Sequence, residues 1–462
     1  MKTNKSILKT KYALLLAITS FLLSLNSCKQ ESYYQNLRDF VDNIPIINTH
    51  EHQRFPARTE GQDFNFYHIL NTSYLNADLV SAGSPFFDME MINRGDLDEL
   101  WATYGEYLDF TRNTSYYSHL LEGFKILYGF EDPYFTEENI RELSEKIKLN
   151  YSKEEEWYKE AYNKAGYEIM LVDQYWNPRN TKLDDRYFAL VFNINDLVMA
   201  AGSRPHPTTS ADKLLGIYKY ASDNGFIINN LEDYLKLAEH LFEVFIENNA
   251  LTLKNTLAYS RSLDFEYVSF QRANELYDLN SSGFDQSERK ELQDFMLHWI
   301  IKKSIEVDLP MQIHTGYLAG NNNTLDNGQP IKLNNLFRQY PDARFVLFHG
   351  GFPWTGEFNA LGKVFPNVYL DLVWLPQLSR ESAILAFDQM LDCVPFNKIS
   401  WGGDCHSIEE STGSLEFGKD VVATVLAKRI ERGLMTEELA REIAQAIFHD
   451  NAVRFFKLGA RD

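Results

Sequence analysis

Apolar positions along the chain follow two alternating rhythms. Compact runs occur at Ile44–His52, Tyr167–Asp173, Tyr187–Ile194, Leu251–Lys254, Pro310–His314, Arg344–His349, Asn367–Leu372 and Lys398–Asp404. Each is shorter than an ordinary helix and apolar at its centre, so each reads as a buried strand. Longer segments place apolar residues at every third or fourth position. They predict helices over Tyr33–Asn43, Leu97–Tyr107, Tyr116–Tyr128, Thr136–Ile147, Leu231–Asn248, Gln286–Val307, Ile331–Tyr340 and Thr436–Phe456. Eight strands alternating with helices predict an α/β architecture, the (β/α)8 TIM barrel. The helix-rich stretch of about residues 53–165, between the first two strands, predicts an insertion that caps the barrel. No repeat and no Pro/Gly/Ser linker interrupts residues 28–462, which read as one elaborated domain. Prolines on either side of His206 make 203–208 a loop.

In such a barrel the functional groups stand at the C-terminal ends of the strands. The polar residues there are His50 and His52, Lys254, His314, His349 and Asp404. Residues at i and i+2 of a strand point to one face, so His50 and His52 project together. Neutral imidazole is a common ligand of zinc and other first-row metals. Gly402 and Gly403 allow the backbone before Asp404 to approach a site closely. Arg261 can either clamp a substrate carboxylate or close a structural salt bridge. Asp371 either supports the site or closes its strand. His406 reads as a loop residue bonded nearby, and His68, His119, His240, His298 and His449 as structural residues within helical patterns. Cys405 has no histidine partner, which argues against a cysteine nucleophile.

Composition narrows the picture. The formal net charge is −20 and no basic stripe is present, which argues against nucleic acid as a partner. Cys28, Cys393 and Cys405 are too few for a disulfide framework. Lys2, Lys5, Lys9 and Lys11 precede an apolar run, Tyr12–Leu25, that is short for a membrane span. The run closes at Leu25-Asn26-Ser27-Cys28, which resembles the lipobox of bacterial lipoproteins. Residues 1–27 are therefore expected to be a signal peptide and Cys28 the lipidated first residue of the mature chain. The protein is expected outside the cytoplasm, periplasmic or at the cell surface, and held to the membrane by that anchor alone. Self-association is left open.

Five segments carry a family resemblance: Leu253–Arg261, Leu309–Gly316, Phe345–Pro353, Asn367–Asp371 and Ile447–Lys457. With the order His-x-His, His, His, Asp they resemble the amidohydrolase superfamily. Within it they are most similar to the amidohydrolase-like domain of nodulin/glutamine-synthetase fusion proteins. The likeness covers about residues 44–52 and 250–458. It implies one divalent metal ion, zinc or else manganese or iron, held by His50, His52, His314 and Asp404. It implies Asp404 as the proton carrier and His349 as a group that polarises a carbonyl or joins Lys254 at a second ion. The expected activity is hydrolysis of a C–N or C–O bond in a small polar substrate. Non-oxidative decarboxylation and sugar-acid isomerisation run on the same barrel, and a non-catalytic ligand-binding lipoprotein is the reading without turnover.

Overall fold

The computed structural model describes residues 32–57, 62–203, 205, 209–278 and 285–459. Cys28 and the rest of the expected signal peptide lie outside these residues, as does His206.

Eight parallel strands form one sheet in the order of the sequence. They are β1 (Ile46–Glu51), β2 (Tyr167–Val172), β3 (Phe188–Asn193), β4 (Thr252–Asn255), β5 (Met311–Ile313), β6 (Phe345–Leu347), β7 (Val368–Asp371) and β8 (Ile399–Ser400). The segment after β8 returns to β1: Asp404 N donates to His50 O (2.8 Å) and His52 N to Cys405 O (2.9 Å). The expected (β/α)8 barrel is borne out, seven of the predicted runs containing their strands and β4 running one residue past its own. The strands end earlier than the apolar runs do. His314 and His349 stand just past β5 and β6, whereas Lys254 lies within β4.

Seven helices lie between β1 and β2 among the described residues, from Phe66–Thr72 to Glu154–Ala165. Their main seat is the long helix Ile408–Glu431, against which helix Ser115–Tyr128 packs at very close range. Small residues make that approach sterically feasible. A Cβ on Gly413 would stand 1.8 Å from His119 O, and one on Gly123 would stand 2.0 Å from Glu409 O. Polar groups then lock the seat. Buried Glu409 accepts from Tyr128 Oη (2.7 Å) and Tyr151 Oη (3.0 Å), and Glu410 accepts from Tyr74 N (2.7 Å).

One expectation needs correction. Ile331–Tyr340 is divided into a 3-10 turn, Pro330–Leu333, and a helix, Asn334–Gln339, because Pro330 opens the segment. Thr436–Phe456 is helical as expected, with a π turn over Ala446–Asp450 between the α segments Glu437–Gln445 and Asn451–Phe456. Asn451, just past that turn, donates to the carbonyls of Phe396 and Ile399 (2.7 Å each), tying the C-terminus to β8.

Filling the helix crossing should break it. Gly413→Ala is expected to lose about 2–3 kcal/mol through overpacking against backbone that cannot yield. Chemical denaturation of the variant beside the parent measures this; an unchanged midpoint would contradict the crossing described.

Candidate metal centre

The strand ends bring His50, His52, Lys254, His314, His349 and Asp404 together, and His52, Lys254, His314 and Asp404 among them line a cavity of about 450 Å³. Asp404 Oδ1 is 3.2 Å from His50 Nε2 and 3.1 Å from His52 Nε2. His314 Nδ1 is 2.9 Å from His349 Nε2, and Asp404 Oδ2 is 3.9 Å from His349 Nδ1. Three loops reach this arrangement through left-handed backbone at His349 (φ 67°), Trp374 (φ 65°) and Asp404 (φ 63°). Non-glycine residues adopt that region at a cost, and such strain collects at functional sites. Gly403 allows the approach: a Cβ there would lie 2.1 Å from Glu51 Oε1.

The imidazole tautomers are set from outside the site. His52 Nδ1 donates to Asp173 O (2.9 Å), His314 Nε2 to Tyr317 O (2.7 Å) and His349 Nδ1 to Val373 O (3.2 Å). A carbonyl only accepts, so in each neutral ring the other nitrogen is a lone pair. Those lone pairs point at unsuitable neighbours. His314 Nδ1 and His349 Nε2 face each other, and His52 Nε2 faces a carboxylate oxygen. Burial pulls His314 down to about 3 and His349 well below its ordinary value, so a proton does not resolve their contact. At His52, burial opposes the charge but Asp404 and Asp173 raise the pKa overall, so a proton competes there with any cation. Burial works against the charge of Asp404 too, yet the bonds to His50 and His52 hold its carboxyl well below the usual range. Acceptors aimed at one space, beside an ionised carboxylate, form a donor set suited to a divalent cation.

Lys254 is buried, with Nζ 2.9 Å from His50 Nε2 and 3.9 Å from the centre of the Phe348 ring. Burial pulls its pKa down to about 8, against the opposing pull of Asp404, Asp173 and Asp371. Asp371 accepts from Thr49 Oγ1 (2.7 Å), Ser400 Oγ (2.6 Å) and Val373 N (2.9 Å). It braces the floor of the site, with three donors around its carboxylate.

Arg261 does not line the cavity. Its guanidinium is 2.5 Å from Asp294 Oδ1, bonds Gln293 Oε1 and Asp264 O, and lies over Phe265. The geometry corrects the substrate-clamp expectation in favour of its structural alternative. His406, expected to be a plain loop residue, lines the cavity, stacks on His52 (5.2 Å between ring centres) and approaches Tyr175 Oη.

Sequence reasoning passed over Asp173, Asn193, Tyr74, Tyr175 and Tyr259 as site residues. All line the cavity, and Tyr74 donates to Asp404 O at 2.5 Å. Asp173 follows its strand as His314 follows β5, so the rule that found the histidines would have found it. Tyr74 comes from the insertion, and no sequence period places it. Donor atoms of His50, His52 and Asp173 lie within 4.8 Å of one another.

Residues 283–458 match the family model described as Amidohydrolase. Over 179 residues the chain is 32% identical to protein fluG of Emericella nidulans, across 37% of this chain and 20% of that protein. The chain thus spans about a fifth of that relative's length. Glucuronate isomerase from Caulobacter crescentus superposes with a TM-score of 0.73 at 16% identity, covering 94% of this chain and 95% of that one. Uronate isomerase from Thermotoga maritima gives 0.73 at 15% identity, with 92% and 97% covered. At these identities both likenesses speak for the barrel fold alone.

Removing Arg261 should cost stability and leave the mouth intact. Arg261→Ala is expected to lose about 2 kcal/mol by removing one of the partners of buried Asp294, which keeps Lys290 Nζ (2.6 Å) and Glu266 N (3.1 Å), with unchanged metal content by elemental analysis. Normal stability together with reduced metal content would return Arg261 to the site.

Proposed function

We propose, from the premise that this chain is an amidohydrolase-superfamily barrel, that it is a metal-dependent hydrolase of a small, neutral, polar substrate. The observation that carries this reading is the set of carbonyl-fixed imidazole lone pairs converging beside ionised Asp404. His50, His52, His314 and Asp404 hold one divalent cation, zinc in the first instance. When bound, such an ion acidifies water and polarises a carbonyl. Asp404 takes the proton of the attacking water and delivers it to the departing nitrogen or oxygen. His349 has Nδ1 tied to Val373 O and Nε2 2.9 Å from His314 Nδ1, so it stands directly beside the ligand set. Tyr175 and Tyr259 frame the mouth, each packed edge-on or tilted against a ligand histidine.

The character of the cavity supports a neutral substrate. Its walls carry Asn193, Asn195, Thr256, Tyr74 and Tyr259, with Asp173 and Asp196, and no arginine among the described lining residues. A sugar acid would have Lys254 as its main cationic partner, already engaged by His50 and Phe348. Isomerisation of a sugar acid is the second reading, favoured by that ammonium at the cavity wall. As part of the same proposal the protein is exported and anchored through Cys28.

Purified protein is expected to hold about one zinc, manganese or iron per chain, and less in Asp404→Asn, by elemental analysis. A screen of amides, esters and lactones against open-chain sugar acids should find hydrolysis, reduced about a thousandfold in Asp404→Asn. Metal-free protein after reconstitution, or turnover of sugar acids alone, would sink the hydrolase reading. Cys28→Ser should move the protein from the membrane to the soluble fraction; identical fractionation of parent and variant would remove the anchor.

A further inference from the structure

We infer that Asp173 is a carboxylate ligand of the same ion, facing the histidine pair alongside Asp404. The inference rests on the reading that the barrel mouth holds a divalent cation. Asp173 stands immediately beyond β2, beside β1 in the barrel, and lines the cavity. Its main-chain carbonyl orients His52, while its side chain brings an oxygen into the 4.8 Å cluster with His50 and His52. One residue thus sets the lone pair of a ligand and adds a donor of its own.

The surroundings of its charge point the same way. The side chain is fully buried, and its hydrogen-bond donor among the described residues is Asn193 Nδ2, 3.0 Å from both oxygens. Asp371 has three donors where Asp173 has this one neutral amide, so Asp173 is the less compensated of the two. A buried carboxylate with one neutral donor is costly unless a cation faces it. Lys254 is the sole ammonium among the residues lining the cavity and already contacts His50. Three aspartates against one ammonium leave two negative charges, which one divalent ion cancels. Asn193 then positions Asp173 by holding both oxygens, as partners beyond the ligands commonly do at metal sites.

The test uses full-length protein stripped with chelator and titrated with Zn²⁺ by calorimetry, beside Asp404→Asn and Asp173→Asn. The asparagine retains the main-chain carbonyl that orients His52, so any loss reports the carboxylate itself. Asp173→Asn is expected to weaken Zn²⁺ binding at least about tenfold, and to change the visible absorption of the Co²⁺-loaded protein. If that variant does not fold, Asp173→Glu keeps the charge, and its Co²⁺ spectrum must still differ from the parent's. Tight Zn²⁺ binding by the parent, with unchanged affinity and Co²⁺ spectrum in the Asp173 variants, would overturn the ligand assignment and leave the proposed hydrolase standing. A parent that takes up no ion would overturn both.

Discussion

The arrangement of the mouth depends on one constraint: three backbone carbonyls decide which nitrogen of three histidines is free. Asp173, Tyr317 and Val373 each take one ring N–H, and each thereby turns a lone pair inward. None of these contacts is optional for a buried imidazole, because an unpaired N–H in the interior costs on the order of 1–3 kcal/mol. The price is a cluster of acceptors without donors between them. Such a cluster is stable only around a positive charge, so the tautomers and the chemistry are two consequences of the same bonds.

Holding that cluster in place needs rigidity from outside the barrel. Asp404 sits after the shortest strand, β8, in a left-handed conformation that its own loop does not enforce. Support comes from either side. Glu51 accepts from Cys405 N (2.8 Å), Tyr74 Oη donates to Asp404 O, and Ser407 caps helix Ile408–Glu431 directly after the loop. That helix is fastened to the insertion through Glu409, Glu410 and the close crossing at Gly413. The insertion therefore acts on the site twice: Tyr74 reaches it, and the helix that carries the Asp404 loop is clamped.

Much of this was legible in the sequence, for a physical reason. Strands buried on both faces read as continuous apolar runs, and each of the eight coincides with a predicted run, β4 extending one residue beyond its own. The residues gathered at the mouth followed, because a polar residue that abruptly ends such a run faces the mouth; their roles as ligands were what the family resemblance implied. Helix Ile408–Glu431 was missed because it is buried on several sides and has no polar stripe; Glu409, Glu410, Ser411 and Thr412 are all interior. Its acids read as surface and are in fact fasteners. Arg261 was ambiguous because its partner, Asp294, lies 33 residues away on another helix. Tyr74, Tyr175 and Tyr259 were hidden among many tyrosines, most of them core residues.

The charge pattern of the mouth bears on substrate choice more directly than the fold does. The barrel of a sugar-acid isomerase and the barrel of a hydrolase superpose without saying what either binds. A bound carboxylate would have to face Asp173 and Asp404, and Lys254, the ammonium among the described lining residues, lies 2.9 Å from His50 Nε2 and against Phe348. Drawing Lys254 toward substrate would break its contact with His50 Nε2. A neutral substrate makes no such demand. It can use Asn193, Asn195, Thr256 and the tyrosine hydroxyls while the ion's charge stays balanced by the aspartates. Under the proposed hydrolase reading, selectivity for neutral substrates would be a by-product of the same charge balance that would hold an ion.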